Sequence, residues 1–179
     1  EVNFDGEVVM IQQSFSGLSL GLLLAIAFAF LIITPLFKSF RQPFIIILAF
    51  PLGLMGVIIL MKISDTYLSI QSIMGIIMMV GISVSYGNIL IDRINNLIID
   101  GQSKTDAIIN GSSERFRPIL MTAVTTIFGL LPTALSTQAG TEANVPLAIA
   151  VIGGTFMTTL LTFYIIPILY SFIAKKSQS

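Results

Sequence analysis

Long apolar stretches alternate with short polar segments along almost the whole chain of 179 residues. A helix needs about 20 predominantly apolar residues to cross the hydrocarbon core of a bilayer. Five stretches come close to or exceed that length, and we expect them to form transmembrane helices. They are residues 17–37, 43–61, 68–94, 118–135 and 146–174. The pattern therefore predicts an all-α membrane protein that is a bundle of five transmembrane helices.

The longest polar connection, residues 95–117, contains a further helical signal. Turn-forming residues at 100–103 are followed by a weakly amphipathic pattern, with Ser103 placed as a helix cap and Asp106 at the third helical position. We expect a separate connecting helix near residues 103–114 that lies along the cytoplasmic face.

Composition supports a membrane protein and excludes several other classes. The chain is 55% apolar and 10% charged, whereas soluble domains average about 25% charged residues. Nine basic and nine acidic residues cancel, so net charge gives no indication of a nucleic-acid partner. The lipid bilayer is the partner that composition indicates.

The positions of the basic residues predict the orientation. Eight of the nine lie in the connections at one side of the predicted membrane, and Lys62 lies at the other. Short cytoplasmic loops hold the excess of Lys and Arg in membrane proteins. We therefore expect a periplasmic N-terminus and a cytoplasmic C-terminus, with residues 175–179 as a cytoplasmic tail.

Cys and His are both absent from the chain. Disulfides, thiolate chemistry and the commonest metal ligand are thereby excluded. No phosphate loop, paired catalytic carboxylates or nucleophile with a base is evident, so we expect no enzyme activity, no cofactor and no metal site. The chain begins with Glu1, and its first residues do not resemble a signal peptide. We expect it to be a piece of a longer polypeptide.

Small residues recur every fourth position in two of the predicted spans. Gly17, Gly21, Ala25 and Ala29 form such a strip in the first, and Ala150, Gly154 and Thr158 form one in the last. Small side chains allow helices to approach closely within a membrane. Both strips predict helix packing and say little about function.

The third span carries a small and polar stripe. At about 100° per residue, Gly81, Ser85, Asn88 and Asp92 fall within about 60° of one another. Polar groups within a membrane face protein or water rather than lipid. Asp92 is either a solvated helix end or a proton carrier, and Asn88 requires a partner on another helix.

The fourth span has a second polar face, formed by Thr122, Thr125, Thr126, Gly129 and Thr133. Two roles are open for these hydroxyls. They can donate to the carbonyl one turn back in their own helix, or they can relay protons or ions together with water. Arg115 lies two turns before Thr122 on the same side. It is either a positive-inside anchor or a cation that holds a carboxylate from another helix.

Several motifs resemble the resistance-nodulation-cell division (RND) family of efflux transporters. The strongest is the run Arg115-Phe116-Arg117-Pro118-Ile119-Leu120-Met121-Thr122, followed by Gly129-Leu130-Leu131-Pro132. Others are Gln12-Gln13-Ser14-Phe15, Phe37-Lys38-Ser39-Phe40, Pro51-Leu52-Gly53, Val80-Gly81-Ile82, Ile89-Leu90-Ile91-Asp92, Glu142-Ala143-Asn144-Val145-Pro146 and Ile152-Gly153-Gly154. They occur in the family's order and cover essentially the whole chain, which resembles helices eight to twelve of twelve.

The resemblance implies a part of a proton-driven antiporter in the bacterial inner membrane. Such transporters expel drugs, lipophiles or metal ions. They form homotrimers and work with a periplasmic adaptor and an outer-membrane channel. Residues 1–16 would be the periplasmic end of the preceding porter region, and residues 17–174 the membrane bundle. The N-terminal helices and periplasmic domains of the same transporter are implied partners.

The resemblance also assigns roles to single residues. In the family, a carboxylate pair on the fourth helix titrates, and groups on the tenth and eleventh helices respond to its charge. This implies proton-coupling roles for Ser85, Arg115 and Thr122. Tyr86, Asn88, Asp92, Thr125 and Thr126 would form the supporting polar face. Ser85-Tyr86 departs from the lysine or serine followed by asparagine of many relatives. The alternative is a truncated, non-transporting membrane subunit or scaffold derived from the same family.

Overall fold

A computed structural model describes residues 4–37, 41–48, 50–136 and 142–175, and the regular structure in these ranges is entirely helical. The helices are α1 (Phe4–Phe37), α2 (Arg41–Leu48), α3 (Phe50–Ile63), α4 (Ile70–Ile99), α5 (Lys104–Ala134) and α6 (Val145–Lys175). One 3₁₀ turn, Glu142–Asn144, precedes α6.

Five candidate membrane spans are present in the described part of the chain. They are Ser14–Phe37, Gln42–Ile63, Ile70–Ile99, Lys104–Ala134 and Glu142–Ser171. The second of these contains both α2 and α3. The prediction of five membrane-length helices is therefore confirmed.

The predicted long connection between the third and fourth spans is wrong. Helix α4 continues to Ile99 and α5 begins at Lys104, so that the expected connecting helix near 103–114 is the first part of α5. The reversal is tight because Gly101 has a φ of +92° and the Gln102 N–H donates to the Leu97 carbonyl at 3.1 Å. This is the pattern by which a left-handed glycine ends a helix. Ser103 then caps α5 as predicted, accepting from the Asp106 N–H at 3.2 Å.

Helix α6 occupies the centre of the bundle and packs against α3, α4 and α5, while α1 packs on α4. The predicted strip on α6 is confirmed. A Cβ added to Gly154 would lie 2.3 Å from Cγ of Met79, and Thr158 is fully buried. On α1 the corresponding positions Gly17 and Gly21 have no described atom within 4 Å of an added Cβ. Ala29, at the other end of the α1 strip, does pack against the core. The α6 strip is therefore closely packed at Gly154 and Thr158, whereas the α1 strip is packed at Ala29 and open at its two glycines.

Candidate functional site

The candidate site is the pair of polar faces on α4 and α5. The start of α4 is fixed by Ser69 and Ser72, whose side chains each accept a hydrogen bond from the other's backbone N–H, at 3.3 and 2.7 Å. This reciprocal cap satisfies two amides that the first helical turn would leave unpaired. From this cap α4 runs without interruption past Ser85 to Ile99.

The polar stripe predicted on α4 lies on the outside of the bundle. Gly81, Ser85 and Asp92 are exposed, and an added Cβ on Gly81 meets no described atom within 4 Å. Tyr86 does not share this face, because it follows Ser85 by about 100° of helical rotation. It is 3% exposed and lies in the hydrophobic core with Leu90 and Ile94.

Asn88 lies between the exposed stripe and the core. Its side chain is half-buried, and its Oδ1 atom is buried without a hydrogen-bond partner among the described residues. The partner on another helix that the sequence requires for Asn88 is not supplied by the α5 threonines, whose hydroxyls donate within their own helix. Burying an amide oxygen without a hydrogen-bond donor costs free energy. The described residues therefore leave the hydrogen-bonding requirement of Asn88 unmet.

The α5 threonines instead bond to their own helix. The hydroxyls of Thr122, Thr125 and Thr126 donate to the carbonyls of Pro118, Met121 and Thr122, at 3.0, 2.8 and 2.9 Å. This is the helix-internal alternative of the two that the sequence left open. Each hydroxyl oxygen still keeps a lone pair with which it can accept. Thr122 and Thr125 are exposed and Thr126 is partly buried.

The two polar faces begin at a close helix contact. Gly111 of α5 packs on α4, where an added Cβ would lie 2.9 Å from Cγ1 of Ile94. Arg115, Thr122 and Gly129 share the side of α5 that holds Gly111. Beyond the contact, Thr122 and Gly129 are exposed, as is Ser85 on α4. The faces are therefore left uncovered by the described part of the chain.

The charged groups lie near that same contact. Arg93 on α4 forms an ion pair with Glu114 on α5, with Nε and Oε2 2.5 Å apart. The Nδ2 of Asn96 donates to Asp92 at 3.3 Å, as expected for a carboxylate at a solvated helix position. Arg115 is partly exposed and forms no ion pair with a described carboxylate. It is therefore a cation available to a partner outside the described residues.

Sequence reasoning missed a hydrogen-bonded group that joins three helices. The Oδ1 of Asn95 on α4 accepts from Tyr170 Oη on α6 at 2.6 Å and from Gln42 Nε2 on α2 at 3.1 Å. The Nδ2 of Asn95 donates back to Gln42 Oε1 at 3.2 Å. The sequence feature that could have indicated this group is the position of Asn95, one helical turn beyond the fully buried Ile91. A polar side chain at a core position requires partners.

The site therefore combines exposed hydroxyls, a partly exposed guanidinium and a buried, unpaired amide oxygen on an otherwise apolar bundle. Such groups can accept, donate and balance charge in a proton or ion path. Groups of three or more acidic residues that could hold a metal ion do not occur in the described ranges.

Comparisons with known sequences all indicate the same family. The profile of the AcrB/AcrD/AcrF family matches residues 1–174. The swarming motility protein SwrC of Bacillus subtilis is 37% identical over 92% of this chain. The multidrug resistance protein MdtC of Proteus mirabilis is 33% identical over 98%. The match covers 16% of SwrC and 17% of MdtC, so the chain spans about one sixth of the length of these relatives.

Solved structures give the same result. Two crystal forms of a heavy metal efflux pump match the fold, with TM-scores of 0.79 and 0.76 and sequence identities of 31% and 33%. The matches cover 92% and 84% of this chain, and 16% and 15% of the pump chain. The identity is high enough for the similarity to extend beyond fold. The chain belongs to the AcrB/AcrD/AcrF family of RND transporters.

Proposed function

We propose that this chain is the C-terminal membrane part of a proton-driven exporter in the bacterial inner membrane. The observation that carries the proposal is the exposed polar face formed by Ser85 on α4 and Thr122 on α5. Hydroxyl and amide groups are costly against lipid and instead face protein or water. The described helices do not cover this face, and we infer that helices of the N-terminal half do.

Family membership supports the architecture that we propose for the complete transporter. The relatives are about six times longer than this chain, which leaves room for the other helices and for periplasmic domains. In this proposal the five spans are helices eight to twelve, the N-terminus is periplasmic and the C-terminus cytoplasmic. Residues 1–16 end the porter region and residues 175–179 form a cytoplasmic tail. The complete transporter acts as a homotrimer with an adaptor and an outer-membrane channel.

The proposed mechanism is a shift between two helix arrangements. Carboxylates on a helix outside this chain face Ser85, Thr122 and Arg115. When the carboxylates are charged they attract the Arg115 guanidinium and accept hydrogen bonds. When they take up protons, this attraction is lost and the other arrangement is favoured. Periplasmic proton uptake and cytoplasmic release then drive export.

Substitutions in the complete transporter test the coupling. Thr122→Val keeps the shape of the side chain but removes the hydroxyl, and Arg115→Ala removes the cation. We expect each to reduce export driven by a proton gradient by about tenfold or more, within the usual range of coupling energies, while Thr122→Ser retains it. Thr34→Val is the matched control. The Thr34 hydroxyl makes the same type of bond, to the Phe30 carbonyl at 2.6 Å, on a helix without the polar face.

The assay needs both drug and metal substrates. One relative is named a multidrug resistance protein, and another, CzcA of Cupriavidus metallidurans, is a cobalt-zinc-cadmium resistance protein. If the wild-type transporter exports only drugs or only metal ions, that result assigns its substrate class. Undiminished proton-coupled export by both Thr122→Val and Arg115→Ala would refute the coupling role. Absence of gradient-driven export from the wild-type transporter would favour the non-transporting subunit or scaffold.

A further inference from the structure

We propose that the groove between α5 and α6 binds an anionic phospholipid, with the phosphate at Arg117 and an acyl chain along the apolar part of the groove. This α5–α6 groove has two parts, which follow one another along both helices. The polar part is a cavity of about 390 Å³ that includes Ser113, Arg117 and Tyr164 in its lining. The apolar part is a cavity of about 270 Å³. The inference rests on membrane embedding and not on proton coupling.

Helical periodicity separates this groove from the candidate transport site. Arg115 and Arg117 are two residues apart, and at about 100° per residue they point to nearly opposite sides of α5. Arg115 shares its side with Thr122. Arg117 shares its side with Ser113, Val124 and the exposed Phe128. The groove is therefore a second functional surface of the same helix.

The apolar part has the character of an acyl-chain site. Leu120, Val124 and Phe128 of α5 face Phe156 and Leu160 of α6 there. The lining also includes Thr159, whose hydroxyl donates to the Thr155 carbonyl at 2.7 Å. Since Thr159 is only 5% exposed and the other lining residues are apolar, the groove presents mainly hydrocarbon.

The length of the groove fits one leaflet. From Arg117 to Phe128, α5 rises about 16 Å at about 1.5 Å per residue. The hydrocarbon core of a bilayer is about 30 Å thick, so one leaflet has about half that depth. A lipid whose phosphate lies at Arg117 can thus place its acyl chain along the entire apolar part.

The polar part has the character of a headgroup site. Arg117 is exposed and forms no ion pair with a described carboxylate. Ser113 lies one helical turn away on the same side. Tyr164 is 69% exposed, and such amphipathic rings favour the headgroup level. The rings of Phe116 and Phe163, with centroids 4.9 Å apart, join the two helices beneath.

Charge complementarity identifies the occupant. Guanidinium groups bind phosphate strongly, and basic pockets between membrane helices bind anionic headgroups. A further apolar helix in the groove would supply no anionic group to pair with Arg117. A soluble partner does not reach a groove at membrane depth. An anionic phospholipid supplies both the phosphate and the apolar chain.

Native mass spectrometry of the purified complete transporter tests the proposal. Nanodiscs of phosphatidylglycerol and phosphatidylcholine in equal amounts supply the lipids, and the retained lipid is counted. We expect wild-type protein to retain phosphatidylglycerol preferentially. Arg117→Gln should weaken its retention about fivefold, the factor expected for one basic residue near an anionic surface. Arg117→Lys should keep most of it.

Lys62→Gln is the matched control, because Lys62 is an exposed cation at the far end of the bundle from Arg117 and lines neither cavity. We expect it to leave retention unchanged. Val124→Phe fills the apolar part and should reduce retention of both lipids. Equal retention of the two lipids by the wild type, equal effects of Arg117→Gln and Lys62→Gln, or absence of bound lipid would overturn the proposal. The measurement uses no proton gradient, so it can fail or succeed independently of the transport experiments.

Discussion

The hydroxyl of Tyr170 is one donor in a hydrogen-bonded group that links three helices. It donates to Oδ1 of Asn95, and Asn95 is also bonded to Gln42. Interhelical hydrogen bonds of this type are individually modest because the separated helices find other partners. Their geometric effect is larger, since one amide fixes α2 and α6 relative to α4.

Tyr170→Phe tests the value of this bond. Removing the hydroxyl leaves the ring packing intact but withdraws a donor from a partly buried amide. We expect the free energy of unfolding to fall by about 0.5–1.5 kcal/mol, measured by reversible unfolding of this chain in mixed micelles. Tyr67→Phe is the control because Tyr67 is 83% exposed. Equal stability of the two variants would contradict a stabilising role for the Asn95 group.

At the scale of elements, the contact between α3 and α6 depends on backbone approach. A Cβ on Gly153 would lie 2.6 Å from the Gly56 carbonyl oxygen, and a Cβ on Gly56 would lie 2.4 Å from the Gly153 carbonyl oxygen. Backbone atoms cannot move aside as the end of a flexible side chain can. The two helices must therefore separate or shift if either glycine is replaced.

Gly153→Ala should consequently destabilise the bundle. We expect a loss of about 1–3 kcal/mol, the usual cost of overpacking a close contact, in the same unfolding experiment. Gly129→Ala is the matched control, because an added Cβ there meets no described atom within 4 Å. Alanine is also the better helix former, by about 1 kcal/mol. A Gly153→Ala variant as stable as Gly129→Ala would show that α3 and α6 do not approach closely.

At the scale of the whole molecule, two kinds of exposed surface are present on the bundle. One is apolar and suits lipid, as on α1, where Leu23 is 65% exposed and Leu31 is 63% exposed. The other is the polar face that includes Ser85 and Thr122. A membrane protein with both requires water or further protein on the polar side. This contrast is the basis of the proposed proton path.

Cysteine labelling distinguishes the two surfaces, because the chain itself contains no cysteine. In the complete transporter with other cysteines replaced, Ser85→Cys should react with a water-soluble maleimide. We expect its rate to exceed that of Leu23→Cys by about tenfold or more, since the reactive thiolate forms where water stabilises it. Equal rates at the two positions would remove the support for a hydrated path beside α4.

Much of the fold follows from local sequence properties. Five apolar stretches of membrane length predicted the five spans, since the hydrocarbon core leaves helix as the means of pairing every backbone group within a segment. Ser103 predicted the start of α5 through its short-range hydrogen bond. The predicted boundaries at residues 94 and 118 are wrong, because α4 and α5 continue through the charged residues and the proline near those positions.

The sequence by itself determined which residues are polar and on which side of their own helix they lie. Periodicity alone placed Ser85 and Asp92 on one stripe, and placed Arg115 with Thr122. Only the tertiary structure decided which sides are covered. It buried Tyr86, joined Asn95 to Gln42 and Tyr170, and left Ser85 and Thr122 exposed. The physical reason is that periodicity is a property of one helix, whereas burial and hydrogen-bond partners depend on neighbours distant in the chain.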